Sequence, residues 1–550
     1  MRRRSAFAAF LLLLLFFPPS ACRPVEAPIE EEVDALPAEG GTLLRHLSGD
    51  VSTLNFVRHN TLNEKYVLSC LHDPLLSWND SLELVPGLAE SWDVEDAGRK
   101  FTFKLDPRAN FSDGTPVKAS DVVFTLKKIV DPESRSAQYA GLFSGLDLSR
   151  TRAVDEKTVE VVFSIARASQ IQAFNIPVLP EHVYGEGEFS EHDFDVVGTG
   201  PYVLERRVPG QEIRLKRRDN YWRKSPFIEE IVFRVIGDDT TAWNAMRRGE
   251  LDAMKISTDR WVEAKASPAA SRIMDFYVFY ELEYSFIAWN NRHPALSDRR
   301  VRRAMSMALD RQSLIESLYQ GTARIITGPF TPDQPYYNAQ VEPIQYDLEQ
   351  AASLLEQAGW TDSDGDGIRD RGGEPLSIEM FLSAGSTFSQ QAAQVLQEAL
   401  AQIGVELEIT PLERATFFSR IIEGDFEAAF LSWGIDFDPD QFTVFHSSQF
   451  PPSGQNFVHY SNPVADELIV EGRNELDREE RIEIYQRLHE VLAEDQPYTW
   501  VVQESKKWAV NKRIRNVEVA QGIGLFLWYP DSRAWWIPEI LQKNEQTAEE

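Results

Sequence analysis

The sequence predicts an α/β protein built from several domains. Its 550 residues are enough for three or four domains at about 150 residues each. In the C-terminal half, residues 347–358 and 390–403 have helical apolar spacing and end at Gly359 and Gly404, and residues 405–410 read as a strand. Because helices and strands alternate along this half, we expect a β-sheet layered with helices.

The composition excludes some classes of partner. Hydrophobic residues make up 43% of the chain and the formal net charge is -30, which becomes -33 without residues 1–21, a segment with three arginines and no acid. Such an acidic surface repels polyanions. No nucleic acid partner is expected.

The first 21 residues predict a signal peptide. Arg2, Arg3 and Arg4 precede an apolar run over residues 6–17, which is too short to span a membrane. Small residues then lead to Cys22, as at a bacterial lipoprotein cleavage site, although Pro19 stands where leucine is usual. We expect lipidation of Cys22, and an ordinary signal peptide is the alternative.

The only other cysteine is Cys70, within an apolar run, and we expect it to be a buried thiol without a disulfide partner. Residues 22–40 are acidic, contain prolines and lack apolar periodicity, so we predict a flexible tether.

The folded part is predicted to begin near Gly41. Residues 42–47 are strand-like, residues 100–105 alternate like a half-buried strand, and Ser120 or Asp121 is the predicted cap of a helix that stops before Asp131. Near the end, Asp477 is predicted to cap a helix with a buried apolar stripe.

An acidic loop follows a predicted buried strand. Residues 427–433 read as the strand, which breaks at Gly434, and Asp436, Asp438 and Asp440 alternate with aromatic residues after it. A loop at the end of a strand can hold one carboxylate at a cleft wall, where it binds a cation. The alternative is a solvated acidic turn.

A second acidic segment has the spacing of a calcium-binding loop. Asp362, Asp364, Asp366 and Asp370 occupy positions 1, 3, 5 and 9, and glycine occupies position 6. Position 12, where a glutamate is expected, is Gly373. We predict either a structural calcium site or a solvated turn between a helix and a strand.

Motifs of catalysis are missing from the sequence. No nucleophile elbow, zinc-protease motif or phosphate loop occurs, so we expect no enzyme activity and no catalytic cofactor. A glycosidase that uses Asp436 and Asp440 as its acid pair is the enzymatic alternative.

Several motifs resemble one family in the order of the chain: LAESW at residues 88–92, FSDGTPVKASDVVFTLKKIVDP at 111–132, GTGPYVL at 198–204 and LSDRRVRRAMSMALDR at 296–311. The family is that of the extracellular solute-binding proteins of ABC importers, family 5, which includes oligopeptide-, dipeptide- and nickel-binding members, and the resemblance covers residues 41–536. It implies a periplasmic-binding-protein-like two-lobe fold of class II, cluster C, with an extra inserted domain. The implied domains are a discontinuous lobe I (residues 41–75, 196–283 and 503–545), an inserted domain (residues 76–195) and lobe II (residues 284–502).

The resemblance also implies a ligand site. In peptide-binding members an aspartate three residues after a tryptophan pairs with the α-ammonium of the ligand, and here Trp433 places that role on Asp436. The main chain of Ser432 and Gly434 is then expected to pair with the peptide backbone, opposite a polar loop at residues 60–66. No Lys or Arg lies between Glu379 and Arg414, so the carboxylate anchor of dipeptide binders is absent and longer peptides are favoured.

The resemblance implies a non-catalytic function. Two lobes close over a peptide, and the closed form is recognised by the transmembrane subunits of a permease. We expect an exported monomer on the periplasmic side or outer face of a bacterial membrane, held there by lipid on Cys22. The alternatives are an oligosaccharide stacked on Trp289, Trp433 or Trp500, a metal chelate, and a chaperone-like surface role.

Overall fold

Three larger β-sheets and two short ribbons organise the part of the chain that the computed structural model describes. That part comprises residues 36–79, 81–187, 189–519 and 532–542, and from Pro37 onward it forms one compact unit. The predicted signal peptide and the predicted lipidation site Cys22 lie outside the described residues. In the described ranges no helix is long and apolar enough to cross a membrane.

The first segment contributes one strand to the largest sheet and forms a smaller sheet of its own. Its elements are β1 (Thr42–Leu47), α1 (Leu62–Leu71), β2 (Leu76–Trp78), β3 (Leu84–Pro86), β4 (Ala89–Glu95), β5 (Lys100–Leu105), α2 (Ala119–Val130), β6 (Arg152–Ala153), β7 (Thr158–Val162) and α3 (Glu181–Tyr184). Strands β4, β5, β7 and β6 form an antiparallel four-stranded sheet in that order.

The second segment returns to the largest sheet. Its elements are β8 (Tyr202–Val208), β9 (Glu212–Arg217), β10 (Glu230–Val235), α4 (Asp239–Arg247), β11 (Ala253–Ile256), α5 (Thr258–Ala266), α6 (Pro268–Ile273) and β12 (Met274–Tyr280). Strands β10 and β11 flank β1 and run parallel to it.

The third segment carries most of the helices. Its elements are β13 (Glu283–Trp289), α7 (Arg299–Met307), α8 (Arg311–Tyr319), β14 (Ala323–Ile325), α9 (Leu348–Gln357), β15 (Asp370–Arg371), β16 (Glu374–Pro375), β17 (Ser377–Ser383), α10 (Thr387–Ala401), β18 (Glu406–Leu412), α11 (Arg414–Glu423), β19 (Ala428–Gly434), α12 (Phe442–Phe445), α13 (Pro463–Asn474), α14 (Arg478–Asp495), β20 (Tyr498–Trp500) and β21 (Val502–Asn511). A five-stranded sheet has the order β18, β17, β19, β13, β20.

The largest sheet draws its strands from segments far apart in the sequence. Its order is β12, β21, β11, β1, β10, β9, β8, and β14 pairs with β21 as its eighth strand. Below, lobe I means the part of the chain around this sheet and lobe II the part around the five-stranded sheet. The domain boundaries given by the sequence remain a prediction.

Two adjacent connections join the two sheets. Strand β12 leads directly into β13, and β20 leads directly into β21. Strand β21 pairs with β14 at residues 502–504 and with β12 at residues 505–511. The chain therefore crosses between the lobes at a narrow place, as expected of a hinge.

The helix ends follow the local signals with few exceptions. The side chain of Asp477 caps α14 as predicted, and Asp298 and Asp347 cap α7 and α9 in the same way. Helix α2 begins earlier than predicted: its N-cap is Lys118, two positions before Ser120 and three before Asp121, and Asp121 accepts the Lys118 N–H from the first turn. Helix α10 begins at Thr387 because Ser386 caps it.

A buried ion pair ties the three segments of lobe I together. Asp252 is completely buried and accepts hydrogen bonds from the Leu44 N–H at 2.8 Å and the Arg513 Nε at 2.6 Å. Arg513 also donates to the Thr42 carbonyl at 2.7 Å. One carboxylate thus joins the start of β1, the approach to β11 and the end of β21.

We expect Asp252→Asn to destabilise the protein by about 3–5 kcal/mol, because the buried Arg513 guanidinium loses its counter-charge. Urea unfolding followed by circular dichroism measures the change. The control is Asp259→Asn at an exposed position of α5, which should change the free energy of unfolding by less than about 0.5 kcal/mol. Equal effects of the two substitutions would contradict a central role for the pair.

Candidate functional site

The acidic loop that follows β19 is held by arginines from the last two helices. Arg481, only 6% exposed, contacts both oxygens of Asp438 at 2.8 and 3.0 Å. Gln172, from the segment that carries the four-stranded sheet, also donates to Asp438 at 2.7 Å. In the same way, Arg473 lies 3.0 Å from Asp440, which accepts the Phe442 N–H.

Asp436 is the acid of this loop that stays available. Among the described residues its carboxylate makes no hydrogen bond or ion pair, although the Gln334 side chain donates to its backbone carbonyl at 3.1 Å. Burial raises the pKa of Asp436, the charge of Asp438 raises it further, and Lys65 partly opposes both. The side chain is exposed and lines a pocket beside Trp433, so a cation placed there would stabilise its charged form.

Residues 430–434 of β19 present an open edge. On one side β19 pairs with β13 along its whole length, from Ala428 to Gly434, but on the other side β17 pairs with Ala428 and Ala429 alone. The main chain of Ser432 and Gly434 therefore lies where an extended segment could add as a strand. The predicted solvated acidic turn does not describe this loop, since two of its three acids are ion-paired.

Helix α1 forms the opposing wall. The prediction of a polar loop over residues 60–66 is wrong from Leu62 onward, where α1 begins with Thr61 as its N-cap in a capping box with Glu64. Lys65 on this helix faces the acidic loop: burial lowers the pKa of Lys65, and the charges of Asp436 and Glu281 partly restore it. The two walls thus carry opposite charges.

Glu64 organises this wall from within. It is completely buried, and its carboxylate accepts hydrogen bonds from the backbone N–H groups of Ser52, Thr53, Asn60 and Thr61 and from the Ser52 hydroxyl. Burial would raise the pKa of Glu64, but these hydrogen bonds outweigh it and hold the pKa at about 2. The loop before α1 is therefore folded around one charged side chain.

An aromatic pocket lies between the walls, and no sequence pattern predicted it. Phe437 of the acidic loop packs on Trp78 with ring centroids 4.6 Å apart, and the pocket of about 170 Å³ is also lined by Phe56, Tyr139 and His72. His72 is buried, has no hydrogen-bond partner among the described residues, and burial lowers its pKa to about 4. The imidazole is neutral at physiological pH, so the pocket suits apolar side chains.

The predicted aromatic stacking surface is mostly wrong. Trp289 and Trp500 are buried in the core of lobe II at 0% and 2% exposure, so neither can stack on a ligand. Trp433 does line a pocket beside Asp436, separate from the aromatic pocket around Phe437. Its ring packs there against Phe286 and Phe457. Cys70 is a buried free thiol, as predicted.

The second acidic segment forms a tight carboxylate cluster. Oxygens of Asp362, Asp364 and Asp366 lie within 4.8 Å of one another, all three at exposed positions. Asp370 instead accepts hydrogen bonds from the Ser363 N–H and hydroxyl at 2.9 and 2.6 Å. Oxygen ligands at this spacing suit calcium, and the calcium site remains a prediction.

Comparison with known proteins places the chain in one family. The family described as bacterial extracellular solute-binding proteins, family 5, middle region, matches residues 83–453. The oligopeptide-binding protein AppA of Bacillus subtilis is 26% identical over 517 residues, 91% of this chain and 92% of its own length. The nickel-binding periplasmic protein of Escherichia coli is 27% identical over 507 residues, 89% of this chain and 91% of its own length.

Solved structures confirm the predicted α/β fold of the periplasmic-binding-protein type. The structure of AppA from Bacillus subtilis in complex with a nonapeptide has a TM-score of 0.70 at 24% identity, and the match covers 91% of this chain and all of that one. NikA from Brucella suis, in complex with Fe(III)-EDTA, has a TM-score of 0.77 at 24% identity, with 88% of this chain and 99% of that one covered.

The low pKa of Glu64 predicts a pH-dependent contribution to stability. We expect Glu64→Gln to lower the thermal midpoint at pH 7, because the wild-type carboxylate is charged and fully hydrogen-bonded there. The gap between the two proteins should be complete above the ordinary glutamate pKa and shrink as the pH falls toward about 2. Scanning calorimetry at pH 7 and pH 3 tests this, and a gap that does not depend on pH would contradict it.

If the carboxylate cluster binds calcium, Ca²⁺ should raise the thermal midpoint, since a ligand at 100 times its Kd stabilises the folded state by about 2.7 kcal/mol. Asp364→Asn should abolish the shift, and Glu374→Gln, at a nearby exposed acid, should leave it unchanged. Terbium luminescence gives a second readout. A shift that is equal in all three proteins, or absent from all, would favour a solvated turn.

Proposed function

The chain belongs to family 5 of the bacterial extracellular solute-binding proteins, and we propose that the solute it captures for an ABC importer is a peptide with a free amino terminus. The observation that carries this proposal is the Asp436 carboxylate, which is exposed in a pocket, has no ion pair among the described residues and lies beside the open edge of β19. An α-ammonium would supply the missing positive charge and hydrogen-bond donors. The main chain of Ser432 and Gly434 would then pair with the extended peptide.

The same geometry supports tolerance of many side chains. Main-chain pairing does not depend on peptide sequence, and the aromatic rings of the pocket around Phe437 offer apolar contact, with Lys65 and Arg533 as the cations of its lining. One relative is an oligopeptide-binding protein by name, which agrees with a peptide longer than two residues. Another is a nickel-binding protein by name, so the experiment must distinguish a peptide ligand from a metal chelate.

We propose a non-catalytic mechanism of capture and delivery. Lobe I and lobe II are joined at β12–β13 and β20–β21, and a ligand that contacts Asp436 on one side and α1 on the other favours the closed form. The glycosidase alternative requires two available carboxyl groups, whereas Asp440 is ion-paired with Arg473. The oligosaccharide alternative loses support because Trp289 and Trp500 are buried.

The family is extracellular by its description, so the protein is exported. We propose in addition that lipid on Cys22 anchors a monomer near the permease, where tethering raises the local concentration of the loaded form. The membrane subunits of the permease are its expected protein partner.

The experiment compares tetra-alanine with N-acetyl-tetra-alanine by isothermal titration calorimetry. A charge-assisted hydrogen bond is worth about 1.5–3 kcal/mol, so acetylation should weaken binding to the wild type by roughly 10- to 100-fold. Asp436→Asn should bind both peptides as weakly as the wild type binds the acetylated one.

Asp425→Asn is the matched control, since Asp425 is an exposed acid of lobe II paired with Arg420, and it should retain the preference for the free amine. Equal binding of the two peptides to the wild type would rule out Asp436 as the amine anchor. Failure to bind either peptide, together with binding of a nickel–histidine complex, would move the assignment to a metal chelate.

A further inference from the structure

A second pocket in lobe I carries a cluster of lysines that the site described above does not use. We call it the lysine pocket and define it by Lys255, Lys506, Lys507, Ser505 and Trp508, which line a cavity of about 430 Å³. The first residues of α1 and α5 line it as well. Helices of this length carry partial positive charge at their first turn.

The topology of the sheet opens this space. Strands β1 and β11 are parallel neighbours that end at Leu47 and Ile256, and β21 continues past the end of β11, which pairs with it only as far as Lys507. The crevice outside the carboxyl ends of parallel strands is the usual place for ligands in such sheets.

The three lysines are not equally engaged. Lys506 is bound by Glu283 and lies 3.8 Å from Glu504. Lys507 is only 2% exposed, and within the described part of the chain its ammonium makes one hydrogen bond, to the Ser505 carbonyl at 3.0 Å, although it carries three donors. Lys255 is exposed and makes no ion pair among the described residues.

Two further buried donors in this lining lack a partner. The Ser505 hydroxyl and the Trp508 indole N–H make no hydrogen bond within the described part of the chain, and both residues are at least 97% buried. Two acids, Glu504 and Asp239, also line the pocket. Buried donors of this kind call for an acceptor, and the Ser505 hydroxyl and the Trp508 N–H have none among the described residues.

The lysine pocket is electrostatically linked to the amine anchor. Burial lowers the pKa of Lys65, and the charges of Asp436 and Glu281 raise it again. Burial raises the pKa of Glu281, and the charges of Lys506, Lys255 and Lys65 lower it. The acid at Asp436 and the cluster of lysines thus belong to one charged network that runs across the cleft, with negative charge at one end and donors at the other.

We propose that the lysine pocket binds a carboxylate group of the solute, with Lys255 and Lys507 as the ligating cations and Ser505 and Trp508 as neutral donors. This inference rests on the proposed function: with Asp436 on the α-ammonium, the group that reaches the lysine pocket is the C-terminal carboxylate or an acidic side chain of the peptide. A carboxylate is an acceptor with a single negative charge, and the ammonium groups of Lys255 and Lys507 can each donate a charge-assisted hydrogen bond to it. It also accounts for the absence of any Lys or Arg between Glu379 and Arg414 in lobe II.

The test compares tetra-alanine with its C-terminal amide by isothermal titration calorimetry. Amidation should weaken binding to the wild type about 10-fold or more. Lys255→Gln and Lys507→Met should bind the free acid as weakly as the wild type binds the amide, whereas Lys216→Gln, at an exposed position of β9 in the same sheet, should behave as the wild type does. Because Lys507 is buried, circular dichroism checks the fold of Lys507→Met, and the exposed Lys255 provides an independent variant.

An amidated peptide with glutamate as its last residue separates the two sources of the carboxylate. Recovery of tight binding assigns the pocket to an acidic side chain as well as to the C-terminus, and no recovery assigns it to the C-terminus. Equal binding of the free acid and the amide, with no effect of either lysine variant, would overturn the proposal.

A probe that does not depend on peptides distinguishes failure of this proposal from failure of the proposed function. If no peptide binds in any form, peptide capture is wrong, and citrate then tests the pocket alone. A citrate-dependent rise in the thermal midpoint that is lost in Lys255→Gln and kept in Lys216→Gln would support a carboxylate pocket. An equal rise in the two variants, or none in the wild type, would overturn it.

Discussion

The ten residues of β21 are the constraint on which the rest of the structure depends, because this strand belongs to both halves of the protein. Its first residues pair with β14, and the remainder pairs with β12 in the largest sheet. Next to it, β12 passes directly into β13, and the Leu282 carbonyl at that passage accepts the Ile435 N–H at 2.8 Å. This hydrogen bond attaches the base of the acidic loop to the crossing between the lobes. A movement of the hinge therefore shifts the loop at which the ligand amine is expected to bind.

Ion pairing decides which carboxylate of the acidic loop is available. Asp438 and Asp440 take the charges of Arg481 and Arg473 from α14 and α13, and this fixes the loop against two helices. Asp436 sits between a strand and these two anchored positions, so its side chain is positioned without being neutralised. Preorganisation of this kind reduces the ordering entropy that a ligand must overcome.

Features that depend on neighbouring residues in the sequence could be predicted, and features that depend on contacts between distant residues could not. The cap at Asp477 and the strand before Gly434 depend on local signals and appear as predicted. The role of Glu64 in folding the loop before α1 depends on N–H groups up to twelve residues away, and the lysine pocket brings Lys255 next to Lys507 through sheet pairing. Trp289 was predicted to face a ligand because it is close in sequence to a cleft segment. Its side chain is instead fully buried, because closeness in sequence does not determine the direction of a side chain.

The charges of the cleft explain why a ligand is needed for closure. Burial raises the pKa of Asp436 and lowers that of Lys65, which means that each charged group already loses hydration in the protein. Closure without a ligand would remove still more water from an acid and a base that are not in contact, and an unpaired buried charge is strongly unfavourable. In the proposed complex, a zwitterionic peptide would replace that water with an ammonium at Asp436 and a carboxylate at the lysine pocket. Its two ends would then stabilise the closed form by offsetting the desolvation that closure imposes on these groups.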